Sequence, residues 1–583
     1  MKQTVKRIIK KVDKKFNLGI YTDPDEITLK QLKELSDGCE AYIQQHKIQS
    51  TIKILWPTPF TLDKMWWAHD GILINALRIR GAEIIPTMCD QIQKDECVFY
   101  SGKWQEYEQN VFKVTRESTC NTCVKRDNTF WSSLRLNPIK LASYISSDER
   151  REFSNKASDI VKTNWKEFSE EGYPVGFEAW KAVVNNDLQA EISEVWRDRA
   201  EQLAKSHIFN IFALQKAYSR VFQSYKPDCV FGNGGFYYFW GIVENYAIQH
   251  QVPYYRYYPV GLQPLCWNYA KNSAKNVYLD EAWDSWIQQD WDKSKTTRVH
   301  ADLKERGLDL NLSLDKVNTI KNHVITRFNL NPDKPIILLL TGVIWDANTN
   351  VPSKIFKDMY DWLFKTIEWA ANKPNCQFII RVHPSENYVP AIAKDTRTLF
   401  LNELSKSNIS VPDNVKIIKS EESVNTYDLM LASDMAVTYA STSGLEYACL
   451  GKPIIVLSDC HYTHKSFTVQ PENVEDYFCY IANFQKNSPT AQHFLDTALL
   501  AIRYWYLYAF HGSMLTGHMW ANYKNYSDLK RGIDGVSAMM KPITYKDILP
   551  GANEYIDYIC DSVLSGLPIF GEDRWPPDNK IGI

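Results

Sequence analysis

The 583-residue chain lacks any apolar run near the roughly 20 residues needed to cross a bilayer. Its most apolar stretch is Pro335 to Ile344, where an Ile/Leu run ending in Thr341-Gly342 predicts a buried strand. An excess of positive charge is missing as well. The 67 Lys plus Arg stand against 69 Asp plus Glu, a net −2, so no global basic field exists to hold a polyanion by counterion release, and nucleic acid is excluded as a main partner. The N-terminus has basic residues but no apolar core followed by a small-residue cleavage site, so no secretory signal is expected. In such a chain, 12 scattered Cys imply reduced thiols and a cytoplasmic location. Low-complexity tracts and short-period repeats are also absent.

What is present is globular. Hydrophobic residues make up 44% and charged residues 23%, and 19 Trp, 33 Tyr and 25 Phe leave the disordered, collagen-like and coiled-coil classes without support. At about 150 residues per domain, this length predicts two or three domains.

Residues 1–50 form an expected N-terminal helical extension. Within it, Val5, Ile8, Ile9, Val12 and Phe16 repeat at helical spacing, opposite Lys2, Lys6, Arg7, Lys10, Lys11, Lys14 and Lys15. That face suits either peripheral contact with an anionic leaflet at the inner side of a membrane, or a surface helix with a solvated basic side. From residue 51 to 283 the pattern becomes strand, helix, strand: Ile52 to Trp56, a helical stretch to Gly81, then Glu83 to Pro86. A second unit joins Asp228 to Phe231, a helix from Tyr238 to His250, and a strand after Pro253. The charged stretch 284–330 reads as a connector. Residues 331–490 repeat the scheme, with strands at Pro335 to Leu340, Gln377 to Val382, Val415 to Ile418, Met435 to Tyr439 and Pro453 to Leu457. A helical, aromatic segment and tail occupy 491–583. The fold class expected is α/β: two Rossmann-like, doubly wound parallel-sheet domains facing a cleft, with helical additions.

Three segments carry chemistry. Ser441-Thr442-Ser443-Gly444 lies between a strand and a helix, where unpaired N–H groups and the helix dipole favour a phosphate; capping of the helix is the competing reading. Glu446, one turn further, suits ribose hydroxyls or the helix dipole. Arg381, His383 and Glu386 cluster where an apolar strand ends, with Pro384 fixing the turn; Arg381 and His383, two apart and on the same side while the strand persists, could hold a diphosphate or carboxylate and protonate or neutralise a departing phosphate, against the alternative of ordinary polar rim residues. Beyond the first strand, His69 and Asp70 offer a base and its orienter, or Asp70 a nucleophile, against the alternative of a capping Asp and a surface His. Gly234 and Gly235, after Asn233, let a backbone approach a ligand closely or make a tight turn. Cys89, Cys97, Cys120 and Cys123 fall within 35 residues and could supply a structural zinc site; structural thiols and an iron-sulfur cluster are the alternatives.

Arg381-x-His383-Pro384-x-Glu386, then Tyr427-Asp428-Leu429-Met430 with Ala432-Ser433-Asp434, then Ser441-Thr442-Ser443-Gly444-Leu445-Glu446 and Leu450-Gly451-Lys452-Pro453 resemble the C-terminal half of bacterial capsule polysaccharide biosynthesis glycosyltransferases. These are GT-B enzymes that include Kdo transferases, and the resemblance spans 376–459. It implies a nucleotide-sugar donor bound in the C-terminal domain, with Arg381 and His383 near the donor phosphate and sugar, Ser441 to Ser443 on the phosphate, Glu446 near the nucleoside and Glu386 beside them. Asn233 to Gly235 would line the acceptor side. The family often carries an acid in the strand after the following helix. Here Tyr255-Arg256-Tyr257-Tyr258 stands instead, a departure from a CMP-Kdo enzyme. No DxD-like acidic pair stands at a strand end, so catalysis without a metal cofactor is expected. The function read from all this is transfer of a sugar to a glycan or glycolipid acceptor in surface polysaccharide synthesis. A glycerol-phosphate or sugar-phosphate polymerase, a nucleotide-sugar 2-epimerase, and a non-catalytic glycan-binding protein are the alternatives.

Overall fold

The computed structural model describes residues 24–58, 64–97, 116–186, 189–192, 194–234, 237–259, 266–271, 279–345, 353–387, 397–484, 489–512, 514–515, 542–570 and 574–577. The amphipathic stretch 1–16, expected at a membrane or on the surface, and Gly235 lie outside them. Among the described residues no helix is long and apolar enough to cross a membrane.

In chain order, the first lobe contains α1 (Pro24–His46), β1 (Ile52–Thr58), α2 (Lys64–Ile79), β2 (Ala82–Met88), β3 (Ile139–Lys140), α3 (Arg197–Tyr225), β4 (Cys229–Asn233), α4 (Tyr238–Gln249), β5 (Tyr254–Pro259) and β6 (Cys266–Lys271). There follow α5 (Asp280–Ile287), α6 (Lys293–Arg306), α7 (Leu314–Phe328), β7 (Ile336–Leu340), β8 (Gln377–Arg381), β9 (Val415–Ile418), α8 (Thr426–Ala432), β10 (Met435–Thr438), α9 (Thr442–Ala448) and β11 (Ile454–Val456). The chain closes with α10 (Pro489–Tyr506), β12 (Met514–Leu515) and α11 (Glu554–Leu564).

Among the described residues the strands form two sheets. The first has seven strands in the order β12-β6-β5-β4-β1-β2-β3, the second five in the order β11-β10-β7-β8-β9. Strands β1 to β5 pair in parallel, and so do all strands of the second sheet; β6 and β12 add antiparallel neighbours at one edge of the first. Counted within its own lobe, each sheet runs 3-2-1-4-5, the Rossmann order, whose direction reverses between the first and fourth strands. The fold class is therefore the expected α/β, with two doubly wound parallel sheets.

Both faces of each sheet are covered, which is why strands read as continuous apolar runs rather than alternating ones. Ile336, Leu338 and Leu340 of β7 enter one core, while Ile337 and Leu339 enter the core on the other face. In β1, Ile54 and Trp56 face one way and Leu55 the other.

Residues 284–330 differ from the expected connector. Trp283, Trp286, Val299, Leu303 and Val324 of α5 to α7 are buried in the C-terminal core, because an apolar stripe runs through sequence whose overall charge suggested a linker. Asp292 caps α6 by accepting from Ser294 N–H and Lys295 N–H at 2.6 and 3.2 Å, and Gly307, at φ 114°, ends it. The last segment divides between lobes: α10 packs in the C-terminal core, whereas Ile556, Ile559 and Val563 of α11 return to the N-terminal one.

Candidate functional site

In the second sheet the switch point lies between β7 and β10, and three neighbouring strand ends are bolted together there. Thr438 Oγ1 donates to the Leu340 carbonyl at 3.1 Å, Thr341 Oγ1 donates to the Arg381 carbonyl at 3.1 Å, and Thr341 Oγ1 accepts from the His383 N–H at 2.9 Å. His383 and Ser441 leave this edge just beyond β8 and β10. Ser441, Thr442, Ser443 and His383 are all partly exposed.

Ser441, in extended conformation, caps α9. Its hydroxyl accepts from Ser443 N–H at 3.3 Å and lies 2.6 Å from the Ser443 hydroxyl, while its carbonyl accepts from Gly444 N–H at 2.9 Å and from the Tyr462 hydroxyl. The capping reading is thus realised in this conformation, with the hydroxyls partly exposed. Gly444 serves packing: a Cβ there would stand 2.3 Å from Tyr462 Oη and 2.9 Å from Thr438 Cγ2.

His383 opens the 3₁₀ turn Pro384–Glu386, and its Nδ1 accepts from Ser385 N–H at 3.1 Å. That bond places the imidazole proton of the neutral ring on Nε2. Arg381 is 5% exposed and shares the face of Ile379, so it does not project beside His383, which follows the end of the strand. Its Nη1 donates to the Lys419 carbonyl at 2.7 Å and its Nη2 to the Glu422 carbonyl at 3.4 Å; burial lowers its pKa, opposed by Glu422. The guanidinium fastens the loop after β9.

The two glutamates lie on opposite faces of the sheet. Glu446 accepts from the Tyr427 hydroxyl at 3.2 Å, and burial pushes its carboxyl up to about 7 against the pull of Arg306 and of the Tyr427 bond. Arg306 in turn donates to Asp302 at 3.2 Å, which also accepts from Trp505 Nε1 at 2.9 Å. Glu386 accepts from the Tyr360 hydroxyl at 3.2 Å and from Phe400 N–H at 3.4 Å, at the start of the helix Phe400–Lys406; burial raises it to about 7 as well. Tyr360 and Phe400 belong to the core opposite that of α9, so Glu386 is not brought together with Ser441 to Ser443 and Glu446.

In the first sheet, His69 and Asp70, expected beside the cleft, lie in the core instead. His69 is fully buried among Trp267, Tyr257 and Tyr269, with Nδ1 2.9 Å from Asp70 Oδ1 and Nε2 2.7 Å from the Tyr269 hydroxyl. Burial lowers its pKa, against the pull of Asp70, which also accepts from Trp56 Nε1 at 3.2 Å. The physical reason is that α2 turns this face onto β1 and β6 under an aromatic roof. Asn233 ends β4, its carbonyl held by the Tyr254 hydroxyl at 2.9 Å, and Gly234 follows, buried against the Arg256 side chain.

Cys89, Cys97, Cys120 and Cys123 are not joined in disulfides, and burial raises Cys89 to about 11 and also raises Cys120. Among the described residues no group of three or more His, Cys, Asp or Glu is placed to hold a metal ion, so the four thiols are not gathered as a ligand set.

Sequence reasoning passed over Tyr462 and the Arg306–Asp302 pair, which complete the setting of α9. Only the glycine at 444, beside bulky neighbours, signalled a close packing partner.

No protein-family model matches the chain, and no curated protein matches it in sequence. Solved structures resemble it at a distance. One is KpsC, a beta Kdo 2,7 transferase of Thermosulfurimonas dismutans, at 17% identity over 48% of this chain and 78% of that one, with a TM-score of 0.27. The UDP-GlcNAc 2-epimerase from Neisseria meningitidis bound to UDP-GlcNAc is 11% identical over 88% of this chain and 100% of its own, at a TM-score of 0.21. The wall teichoic acid polymerase TagF is 16% identical over 31% and 42%, at a TM-score of 0.21. Likenesses this low establish neither relationship nor activity.

Proposed function

We propose that the chain is a glycosyltransferase that moves a sugar from a nucleotide-activated donor to a glycan or glycolipid acceptor in surface polysaccharide assembly. The observation that carries this reading is the bolted edge of the second sheet. Hydrogen bonds across β10, β7 and β8 hold a histidine of defined tautomer and a run of three hydroxyls at the switch point, where open α/β sheets bind ligands. The motif resemblance over 376–459 agrees with it.

Departure of the sugar leaves negative charge on phosphate. Ser441 and Ser443, now bonded to each other, would turn their hydroxyls to the phosphate oxygens, and Nε2–H of His383 would donate to the same group or to the sugar. Arg381 acts as a positioning residue through the loop at Lys419 and Glu422. Transfer needs no metal in this scheme, and the donor is expected to be a nucleoside diphosphate or monophosphate sugar.

A thermal-shift screen of the full chain against CMP, UDP, GDP and CDP and their sugars, followed by mass spectrometry of products on glycan acceptors, tests the reading. At least one nucleotide should stabilise the protein, and His383→Ala should lower transfer by roughly 100-fold or more. An epimerised donor, a polymer of glycerol phosphate or sugar phosphate, or glycan binding without nucleotide binding would each replace the proposal.

A further inference from the structure

The first sheet has its own switch point, between β1 and β4, and the donor site makes no use of the chemistry there. Arg256, on β5, is 3% exposed. Its Nη2 donates to Glu244 Oε1 of α4 at 2.7 Å, whereas Nε and Nη1 meet no acceptor among the described residues. Among the described residues no other guanidinium has two buried nitrogens in this condition. Buried N–H groups on a cation are costly to leave unmatched, so this is a place built to receive an acceptor atom.

The surroundings fit a ligand. Gly234 passes so close to the arginine stem that a Cβ on it would lie 3.2 Å from Cδ and 3.9 Å from Nε. Helix α4 is 12 residues long and starts at Tyr238, where its dipole presents its positive end.

We propose that Arg256, with Gly234 and the start of α4, forms an oxyanion subsite in the N-terminal lobe that takes a carboxylate or a phosphate ester. Calling its ligand the acceptor rests on the transferase reading; the subsite itself does not. Glu244 offsets the charge of the guanidinium and competes with the incoming anion, and this gives the proposal a distinctive sign. If Arg256 served only as a structural ion pair, removing the Glu244 charge would not improve binding of anything. If it receives an anion, the same change strengthens that binding.

The test is calorimetric titration of the full chain with glucuronate, glucose 6-phosphate and glucose. The subsite predicts saturable binding of at least one of the two anions and none of glucose, with the tighter of the two identifying carboxylate or phosphate as the source. Arg256→Gln and Gly234→Ala should each weaken anion binding about tenfold or more, and Glu244→Gln should tighten it about tenfold. Gly234→Ala and Glu244→Gln decide the matter if Arg256→Gln fails to fold. No anion binding, equal binding of glucose, or unchanged or weaker binding by Glu244→Gln overturns the subsite. Nucleotide thermal shifts on the same samples separate the two readings. Anion binding without nucleotide binding keeps the subsite and removes the transferase, and the reverse removes the subsite alone.

Discussion

Replacing Glu446 by Gln isolates the cost of burying a carboxyl in the helix behind the candidate donor site. The residue is 8% exposed, and burial raises its carboxyl from an ordinary 4.5 to about 7, with Asp302 adding to the rise while Arg306 and the Tyr427 hydroxyl oppose it. Between those two values the folded chain keeps a proton that the unfolded chain has already released. Stability therefore falls as pH rises through that window and stays lower above it. At 1.36 kcal/mol for each tenfold, the loss is about 3 kcal/mol by pH 8. Gln still accepts from Tyr427 and cannot ionise. Urea unfolding followed by tryptophan fluorescence should find the variant close to wild type at pH 5 and more stable at pH 8 by up to about 3 kcal/mol. Glu386, also raised to about 7, contributes the same slope to both proteins and cancels in the difference. Parallel pH profiles for the two proteins would refute the claim that Glu446 is held protonated by burial.

Arg381→Ala should cost about 2 kcal/mol in urea, because two charged hydrogen bonds to the Lys419 and Glu422 carbonyls are lost; unchanged stability with lost nucleotide binding would put the guanidinium on the ligand instead. Gly444→Ala should destabilise by roughly 1–3 kcal/mol through its clash with Tyr462 Oη, and adding Tyr462→Phe should recover part of that; an unaffected melting temperature for the single variant would contradict the packing. Replacing Cys120 and Cys123 by Ser should leave the zinc content and melting temperature of purified full-length protein unchanged, since the Cys89 to Cys123 thiols are not gathered as ligands among the described residues; loss of stoichiometric zinc in the variant would reverse that conclusion.

Strands were the legible part of the fold. Runs such as Ile336 to Leu340 and Phe378 to Ile380 are apolar on both faces because both faces are covered, and a short apolar run bounded by polar turns reports that directly. The helices at 280–328 were obscured because their buried stripe is diluted by lysine and aspartate on the solvent side. In the site, local spacing located Ser441 and His383 at strand ends. What it could not give was the direction of a side chain set by distant partners. Arg381 turns to carbonyls at 419 and 422, Glu386 to a helix beginning at Phe400, and His69 to rings at 257, 267 and 269. Each of those contacts closes a loop of many residues, and no periodicity within a short window encodes it.

The return of α11 to the first lobe bears on how the molecule is born. Ile548, Ile556, Ile559 and Val563 pack with Ile72, Leu73 and Leu77 of α2, and Arg80 pairs with Asp557. A ribosome adding roughly 5–20 residues per second needs on the order of half a minute or more to travel from one partner to the other. Throughout that interval the emerging N-terminal lobe presents an oily ledge that α11 has yet to cover, and the lobe inserted in the middle can close once α10 has emerged, ahead of α11. Vectorial synthesis should therefore complete the second lobe first and leave the first dependent on shielding by chaperones until its closing helix emerges.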